Sequence, residues 1–337
     1  MKKTYICITI VTLFSLILCT PCMGALNVVT TMPNICDVVE EVGGDLVEVR
    51  YVAPPNAVHI SSDSIDALLQ TNHDFIIGAD LFIGHGNQMD KNIINKINDF
   101  RKNNANKSTE WQCMVKISKN QVPNQTVVYD NPHDLVGYSE TITYILSNAD
   151  KSNQSQYNSN HQKYITKIAK ESELSSDEKK VFSKIPIICQ FRLKNQAVKW
   201  LGMNCINSYP QPISVKEIID DIQGNVSKYQ SIASNSSVGK IIVIDNSVAG
   251  PDMGKGVFEA LKDNNIPCER IVFLNLPKSA DNINSILDYY KYNKNQILSI
   301  ANMESNSNKN TLNIVLCISI GLLIGILAVI YYNRRKS

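Results

Sequence analysis

Histidines are the side chains of this 337-residue chain that are best suited to bind a divalent cation, and five are present. Two of them follow short apolar runs and prolines: His59 comes after Pro54-Pro55, and His133 ends the sequence Asp130-Asn131-Pro132-His133. Ligands of open α/β sheets bind beyond the carboxyl ends of the strands, so two histidines at two such ends are expected to approach one point. Neutral imidazole binds zinc and related divalent ions. The alternative for each histidine is a surface position in a loop.

Three further side chains are candidates to complete such a site. His85 stands between two glycines after a predicted strand, and Asp245 ends an apolar strand, where a carboxylate would face the cleft. Cys189 would bind soft ions as a thiolate. The alternatives are a flexible glycine loop for His85, a capped turn at Asp245 and a small buried core residue at Cys189. The remaining histidines, His73 and His161, are predicted to be solvent-exposed.

Short apolar runs alternate with helically spaced apolar residues along most of the chain. Strands are predicted at 26–30, 46–53, 74–78 and 127–129, and again at 186–189, 203–207, 240–245 and 270–274. Amphipathic helices separate them, including one that begins at Pro33 and one over 193–201. This alternation is typical of parallel sheets with helical crossovers. The predicted fold class is α/β, with two (β/α) lobes of parallel sheets joined by a long linking helix that restarts at a capping box in Ser175–Glu178.

Both ends of the chain resemble targeting segments. Lys2-Lys3, the apolar run from Tyr5 to Leu18 and the small residues Gly24-Ala25 predict a secretory signal peptide. Leu312–Tyr332 carries no charge, is long enough to cross a bilayer of about 30 Å, and precedes a basic tail that favours the cytoplasmic side. We therefore expect a C-terminal transmembrane helix and a single-pass protein of the cell membrane with its N-terminal bulk outside the cytoplasm. The predicted segments are a signal peptide (1–25), an N-terminal α/β lobe (26–150), a linking helix (151–184), a C-terminal α/β lobe (185–302), a polar stalk (303–311), the transmembrane helix (312–332) and a cytoplasmic tail (333–337).

Composition and motifs exclude several functional classes. The net charge is +2, from 33 Lys and Arg against 31 Asp and Glu, so no basic excess points to nucleic acid. The five cysteines outside the predicted signal and anchor are an odd and scattered set, which is a poor disulfide framework. Phosphate-binding loops, nucleophile elbows and zinc-protease motifs are absent. We expect a monomer that is not an enzyme and binds no nucleic acid.

The order of these motifs resembles the zinc- and manganese-binding solute receptors of ABC importers, over about residues 27–302. The matching positions are Thr30-Thr31, Gly43-Gly44-Asp45, Pro54-Pro55, His59, His133, the helix with Tyr157 and Tyr164, Trp200-Leu201-Gly202 and Val243–Asn246. The resemblance implies two α/β lobes, a rigid linking helix and a divalent cation, zinc or manganese, clamped in the cleft as the transported ligand. It also implies an ABC permease as the partner.

The chain departs from the family pattern in both lobes. The first-lobe motif reads Ala57-Val58-His59-Ile60-Ser61, without the usual acid and aromatic residue. The family's third and fourth ligands fall near Gln190-Phe191 and Asn275, which bind cations weakly. The expected ligands are therefore His59 and His133, with Asp245 and His85 as substitutes. The alternatives are a receptor of the same fold for a larger ligand such as a metal chelate, with a wider apolar and aromatic cleft, or a surface adhesion module.

Deletion of about the last 25 residues, which removes the predicted transmembrane helix, is expected to release the protein into the medium, because only this segment is predicted to hold it in the membrane. Fractionation of cells that express the full-length and shortened chains measures this. If the shortened chain stays in the membrane fraction, the prediction of a transmembrane anchor is wrong or a lipid is attached upstream.

Overall fold

Two parallel four-stranded sheets form the framework of the protein. The computed structural model describes residues 24–54, 62–86, 88, 90–120, 128–209, 212–247 and 252–301. The first sheet has the order β2-β1-β3-β4 and the second has the order β6-β5-β7-β8. Their strands are β1 (Leu26–Thr30), β2 (Val47–Tyr51), β3 (Leu81–Gly84), β4 (Trp111–Cys113), β5 (Pro186–Gln190), β6 (Asn204–Tyr209), β7 (Ile241–Asn246) and β8 (Cys268–Phe273). The predicted α/β fold with two lobes of parallel sheets is confirmed.

Helices cross over between the strands and cover both faces of the sheets. They are α1 (Pro33–Gly43), α2 (Ser62–Thr71), α3 (His73–Gly78), α4 (Lys91–Ala105), α5 (Met114–Asn120), α6 (Pro132–Ala149), α7 (Gln154–Ser172), α8 (Ser176–Phe182), α9 (Pro212–Gly224), α10 (Val226–Ser234), α11 (Lys255–Asp263) and α12 (Ile286–Ile300). The central strands β5 and β7 are buried at every position. Continuous burial explains their apolar runs, Pro186–Cys189 and Ile241–Ile244, because helices pack on both faces of a parallel sheet.

The order of strands gives each lobe a point at which the chain changes direction across the sheet. From β1 the chain passes to β2 on one side and then returns to pair β3 with β1 on the other side. The second lobe repeats this arrangement around β5, with β6 on one side and β7 on the other. Loops that leave neighbouring strands in opposite directions open a crevice at the carboxyl edge of the sheet. Each lobe therefore has one such crevice.

Two predicted strands are wrong. Residues 74–78 lie in helix α3, and the third strand is β3, which begins three residues after the end of the predicted strand, where Val28 pairs with Leu81. A run as short as Phe75-Ile76-Ile77 fits one helical turn as well as a strand, so periodicity does not separate the two. The strand predicted at 127–129 has no counterpart at Val128 and Tyr129, and Val127 lies outside the described residues. The fourth strand is β4, which the sequence analysis missed because it has three residues only.

The segment predicted as a linking helix contains two helices. Helix α7 packs against α1 and α6 through Tyr157, Tyr164 and Ile168, which belong to the core of the first lobe. Helix α8 then begins at the predicted capping box, in which Ser175 and Glu178 each accept a hydrogen bond from the backbone of the other. This confirms the predicted restart of the helix.

The C-terminal helix α12 belongs to the cores of both lobes. Its first half places Ile286, Leu287, Tyr289 and Tyr290 in the core of the first lobe. Its last turns place Ile297 and Leu298 in a core cluster of the second lobe. Because one rigid element is packed into both cores, α12 holds the two sheets in a fixed relation.

Membrane-spanning character is not found in the described part of the chain, where none of the helices combines the necessary length with sufficient hydropathy. The predicted anchor at 312–332, its flanking stalk and tail, and residues 1–23 of the predicted signal peptide lie outside the described residues.

The start of α12 is tied to the first lobe by a buried carboxyl group. The backbone N–H of Ile286 donates a hydrogen bond of 3.0 Å to Oδ2 of Asp37, which is 3% exposed. Burial raises the pKa of Asp37 to about 8, and the hydrogen bond from Ile286 only partly opposes this. The folded protein therefore retains a proton between about pH 4 and pH 8 that the unfolded chain releases.

Stability is expected to fall as the pH rises through this window, with a slope of at most about 1.4 kcal/mol per pH unit from this one group. Asp37→Asn should remove that part of the slope, because asparagine does not ionise but still accepts from Ile286. Urea unfolding followed between pH 4.5 and pH 8 measures the effect, with the exposed Asp45→Asn as the matched control. An unchanged slope in Asp37→Asn would show that Asp37 is charged in the folded protein.

Candidate ligand cleft

A cavity of about 670 Å³ lies between the carboxyl edges of the two sheets. The first lobe contributes Met32 after β1, His85 after β3, and the turn Val128–Asp130 before α6. The second lobe contributes most of Phe191–Lys199 after β5, together with Asn246 at the end of β7 and Asn275 beyond β8. The two crevices therefore face each other, and residues of both line the cavity.

His85 is the one predicted site residue, among those described, that lines this cavity. Its Nε2 lies 3.2 Å from Nδ2 of Asn34 and 3.1 Å from the hydroxyl of Tyr138, and its ring stacks near that of Tyr129. Burial lowers the pKa of His85 to about 4, against a smaller opposing effect of Asp90, so the imidazole is neutral at pH 7. Two protein groups already occupy the neighbourhood of Nε2, and a metal ion would reach this nitrogen only if they moved.

The glycine after His85 is required by the backbone. Gly86 has a φ of +76°, and a Cβ at this position would lie 2.7 Å from Cβ of Cys113. Its N–H donates to Oδ2 of Asp90, which also accepts from the hydroxyl of Thr31. The Gly-His-Gly segment is therefore an ordered turn that fixes the position of His85, in contrast to the flexible loop considered as its alternative.

His133 and His59 are not brought together by the described structure. His133 lies in the first turn of α6 with its side chain 98% exposed, 3.6 Å from a carboxylate oxygen of Asp134, and it does not line the cavity. His59 lies outside the described residues. Their roles as metal ligands stay predictions.

Asp245 is buried beneath the cleft and is held by three donors. Its Oδ1 accepts from the hydroxyl of Tyr209 at 2.5 Å and from the N–H of Gly254 at 2.7 Å. Its Oδ2 accepts from Nε of Arg270 at 2.7 Å. The carboxylate is fully buried and has a complete set of strong partners, so its observed contacts are those of an internal ion pair.

The residues at the family's second-lobe ligand positions are arranged differently from a metal cage. Gln190 is buried, whereas Phe191 is 58% exposed and lines the cavity. Asn275 lines the cavity and accepts a hydrogen bond of 3.3 Å from Ser247. The thiol of Cys189 lies 3.9 Å from that of Cys205, and this hydrogen bond, together with burial, raises the pKa of Cys189 well above its usual value. Within the described ranges, no three His, Cys, Asp or Glu side chains are grouped so that they could hold one metal ion.

The prediction that His161 is solvent-exposed is wrong. His161 is buried between α6 and α7, with Nε2 3.0 Å from the hydroxyl of Ser139. Burial lowers its pKa. The surrounding Asn, Gln and Lys residues suggested a solvated face, but His161 occurs four residues after Tyr157 and shares its buried side of the helix. His73 is partly exposed, beside Asp74 and the ring of Phe100.

Several polar residues of the cleft were missed by the sequence analysis. Asp130 lines the cavity, and burial raises its pKa to about 6, while hydrogen bonding to Asn195 acts in the opposite direction. Gln196 lies in a π-helical turn, Asn195–Trp200, where an α-helix had been predicted. π-Helical turns are rare and are frequently found at functional sites. The Asp130-Asn131-Pro132-His133 motif drew attention to His133, although Asp130 is its member in the cavity.

Asp245→Ala is expected to lower the free energy of unfolding by about 3 kcal/mol, because it leaves Tyr209, Gly254 and Arg270 without their buried acceptor. Denaturant unfolding measures the loss. Asp252→Ala is the matched control: it removes an exposed carboxylate 3.0 Å from Arg270 and should cost less than about 1 kcal/mol. Equal losses in the two variants would contradict the internal ion pair.

Comparison with known proteins gives both a family and a fold. The family model described as the periplasmic component A of the zinc-uptake complex, ZnuA, matches residues 28–240. A Cd-bound periplasmic metal-binding protein from Candidatus Liberibacter asiaticus aligns with a TM-score of 0.54 at 14% identity, over 81% of this chain and 98% of that chain. The Mn-bound form of a periplasmic metal-binding protein from the same organism gives 0.54 at 15% identity, over the same shares of the two chains. A crystal structure of ZnuA gives 0.52 at 14% identity, over 84% of this chain and 100% of that chain.

A search among curated proteins found no match. The structural neighbours support the two-lobed fold and no more, since their identities are low. The family model matches more than half of the chain, and the protein therefore belongs to the ZnuA family of periplasmic metal-binding solute receptors.

Proposed function

We propose that this protein is a membrane-anchored extracytoplasmic receptor that captures a divalent metal ion, zinc or manganese, for an ABC importer. Its role is capture and delivery and involves no catalysis. The cation is the transported ligand. The cleft between the two lobes is the binding site, and the permease of the importer is the partner that receives the cargo.

The observation that carries the proposal is the cavity between the two facing crevices. Such crevices at the carboxyl ends of parallel strands are the places where α/β sheets bind ligands. Membership of the ZnuA family supports a metal as the ligand, and the neighbours of the same fold include Cd-bound and Mn-bound proteins. Together these observations favour a solute receptor over the surface adhesion module.

We further propose that His59 and His133 supply imidazole ligands, with His85 and Asp245 as the second pair. His85 is the best placed of the described candidates because it lines the cavity. Asp245 would have to exchange its hydrogen bonds with Tyr209 and Gly254 for the ion, which makes it the candidate with the highest cost. The side chain of His133 is exposed on the helix surface and lies 3.6 Å from Asp134, so it would have to leave that contact to reach an ion in the cavity.

A transmembrane helix at 312–332 would hold the receptor beside its permease. Tethering replaces a search through the surrounding volume with a local encounter, which raises the effective concentration of the receptor at the transporter. The polar stalk at 303–311 would give the cleft room to reach the permease. The sharing of α12 between both cores limits the closing movement to a small one.

The proposed site predicts that Zn²⁺ or Mn²⁺ raises the melting temperature of the protein, because a ligand that binds only the folded state stabilises it by mass action. At a free ion concentration of 100 times Kd, the gain in stability is about 2.7 kcal/mol. Thermal unfolding with and without each ion measures this gain in the metal-free, detergent-solubilised chain.

His59→Ala and His133→Ala should each abolish the gain, whereas the matched control His73→Ala should retain it. His161→Ala is unsuitable as a control because that side chain is buried. No response to any of Zn²⁺, Mn²⁺, Co²⁺, Ni²⁺ and Fe²⁺ would contradict capture of the free ion. A response that survives both histidine substitutions would reject the ligands while leaving the receptor function in place.

A further inference from the structure

We propose that the metal enters the cleft as an anionic chelate rich in carboxylate oxygens, held by the second-lobe segment Phe191–Lys199. This inference rests on the proposed receptor function and specifies the chemical form of its cargo. It is carried by three features of the cavity: the sign of its charge, one unpaired buried donor and its apolar lining.

The described lining of the cavity is positively charged. Arg192, Lys194 and Lys199 all lie on the segment after β5, and Asp130 is the acidic side chain that faces them. His85 is neutral. A free divalent cation would therefore enter against a net positive field, whereas an anion would be attracted by it. Arginine and lysine beside each other are typical of sites for carboxylates and phosphates.

Gln196 supplies a buried donor with no partner in the described structure. The residue is 1% exposed and lines the cavity, and its Nε2 makes no hydrogen bond. Its Oε1 accepts a hydrogen bond of 2.8 Å from Nδ2 of Asn293. An amide N–H that is buried without an acceptor lowers the stability of the folded protein. A ligand oxygen that accepts from Nε2 would supply the missing hydrogen bond.

The orientation of the Gln196 amide is fixed from the other side. Asn293 binds the backbone of Leu274 in both directions: its Oδ1 accepts from the N–H at 2.9 Å, and its Nδ2 donates to the carbonyl at 2.7 Å. The remaining hydrogen of Nδ2 requires an acceptor, which is Oε1 of Gln196. Nε2 is therefore the atom left for the ligand, and rotating the Gln196 amide would put two donors against each other.

The size and lining of the cavity fit a ligand larger than one ion. A volume of about 670 Å³ lies within the usual range of small-molecule sites, roughly 300–1,000 Å³. A cation held directly by protein ligands would need bonds of about 2 Å on all sides. Tyr129, Phe191 and Val198 provide an apolar surface suited to the carbon skeleton of a chelator.

Equilibrium dialysis of the metal-free, detergent-solubilised full chain tests the inference, with bound zinc counted by mass spectrometry. Three probes are compared: Zn²⁺ alone, the anionic complex [Zn(EDTA)]²⁻, and the cationic complex of Zn²⁺ with tris(2-aminoethyl)amine. The anionic complex should bind more tightly than the cationic one, and added salt should weaken it.

Gln196→Glu is the sharpest variant, because a glutamate oxygen still accepts from Asn293 while the donor toward the ligand becomes an acceptor. Binding of [Zn(EDTA)]²⁻ should weaken by about tenfold or more. Lys194→Gln combined with Lys199→Gln should also weaken it, and this pair is more exposed than Gln196, so it decides the question if Gln196→Glu fails to fold. Lys184→Gln, an exposed lysine outside the cleft, is the matched control and should bind normally.

Equal affinity for the anionic and cationic complexes, or undiminished binding in the folded Gln196→Glu variant and the lysine pair, would overturn the inference. Binding of Zn²⁺ alone without [Zn(EDTA)]²⁻ would also overturn it and would leave the proposed receptor function standing. Binding of zinc in none of the three forms would overturn the inference. If Mn²⁺ also fails to stabilise the chain in thermal unfolding, the receptor function is rejected with it.

Discussion

The buried amide of Asn293 is the constraint on which the arrangement of the cleft depends. It makes three hydrogen bonds without access to water, two to the backbone of Leu274 after β8 and one to Gln196 after β5. Each of these hydrogen bonds contributes little net free energy to folding. Breaking one of them would nevertheless be costly, because it would leave a buried polar group without a partner. Asn293 therefore attaches α12 to the second sheet and also fixes the direction of Nε2 of Gln196, which is a donor in the cleft.

The same helix reaches the first lobe and contacts its wall of the cleft. The hydroxyl groups of Tyr289 and Tyr290 both donate to the carbonyl of Tyr129, whose ring lies beside His85 in the cavity wall. At its start, α12 receives Asp37 as a buried acceptor. Helix α12 thus makes hydrogen bonds to the wall of the cleft contributed by each lobe.

The sequence was sufficient for the four strands of the second sheet and for β1 and β2 of the first, because the apolar runs at these strands are bounded by polar turns. The strand at Leu26–Thr30 was placed correctly, and the capping box at Ser175 is recognisable from four residues. It was insufficient at Phe75-Ile76-Ile77, where a run of three apolar residues has no periodicity, and at His161, whose burial depends on a neighbouring helix. These errors arise where tertiary packing overrides a local pattern.

The cleft was harder to predict than the fold because its contacts join distant parts of the chain. His85 was identified from its glycines, but its partners Asn34 and Tyr138 are 51 and 53 residues away. Asp245 was expected to face a ligand, and its partner Arg270 became evident only when β7 and β8 were paired.

Gln196 and Asn293 are separated by 97 residues, and neither belongs to a motif. An aligned pair of this kind has a functional consequence of its own. When a donor is oriented before the ligand arrives, binding carries no additional entropic cost for ordering that donor. With α12 restricting the movement of both lobes, selectivity in this protein would come from donors that are already in place more than from closure around the cargo.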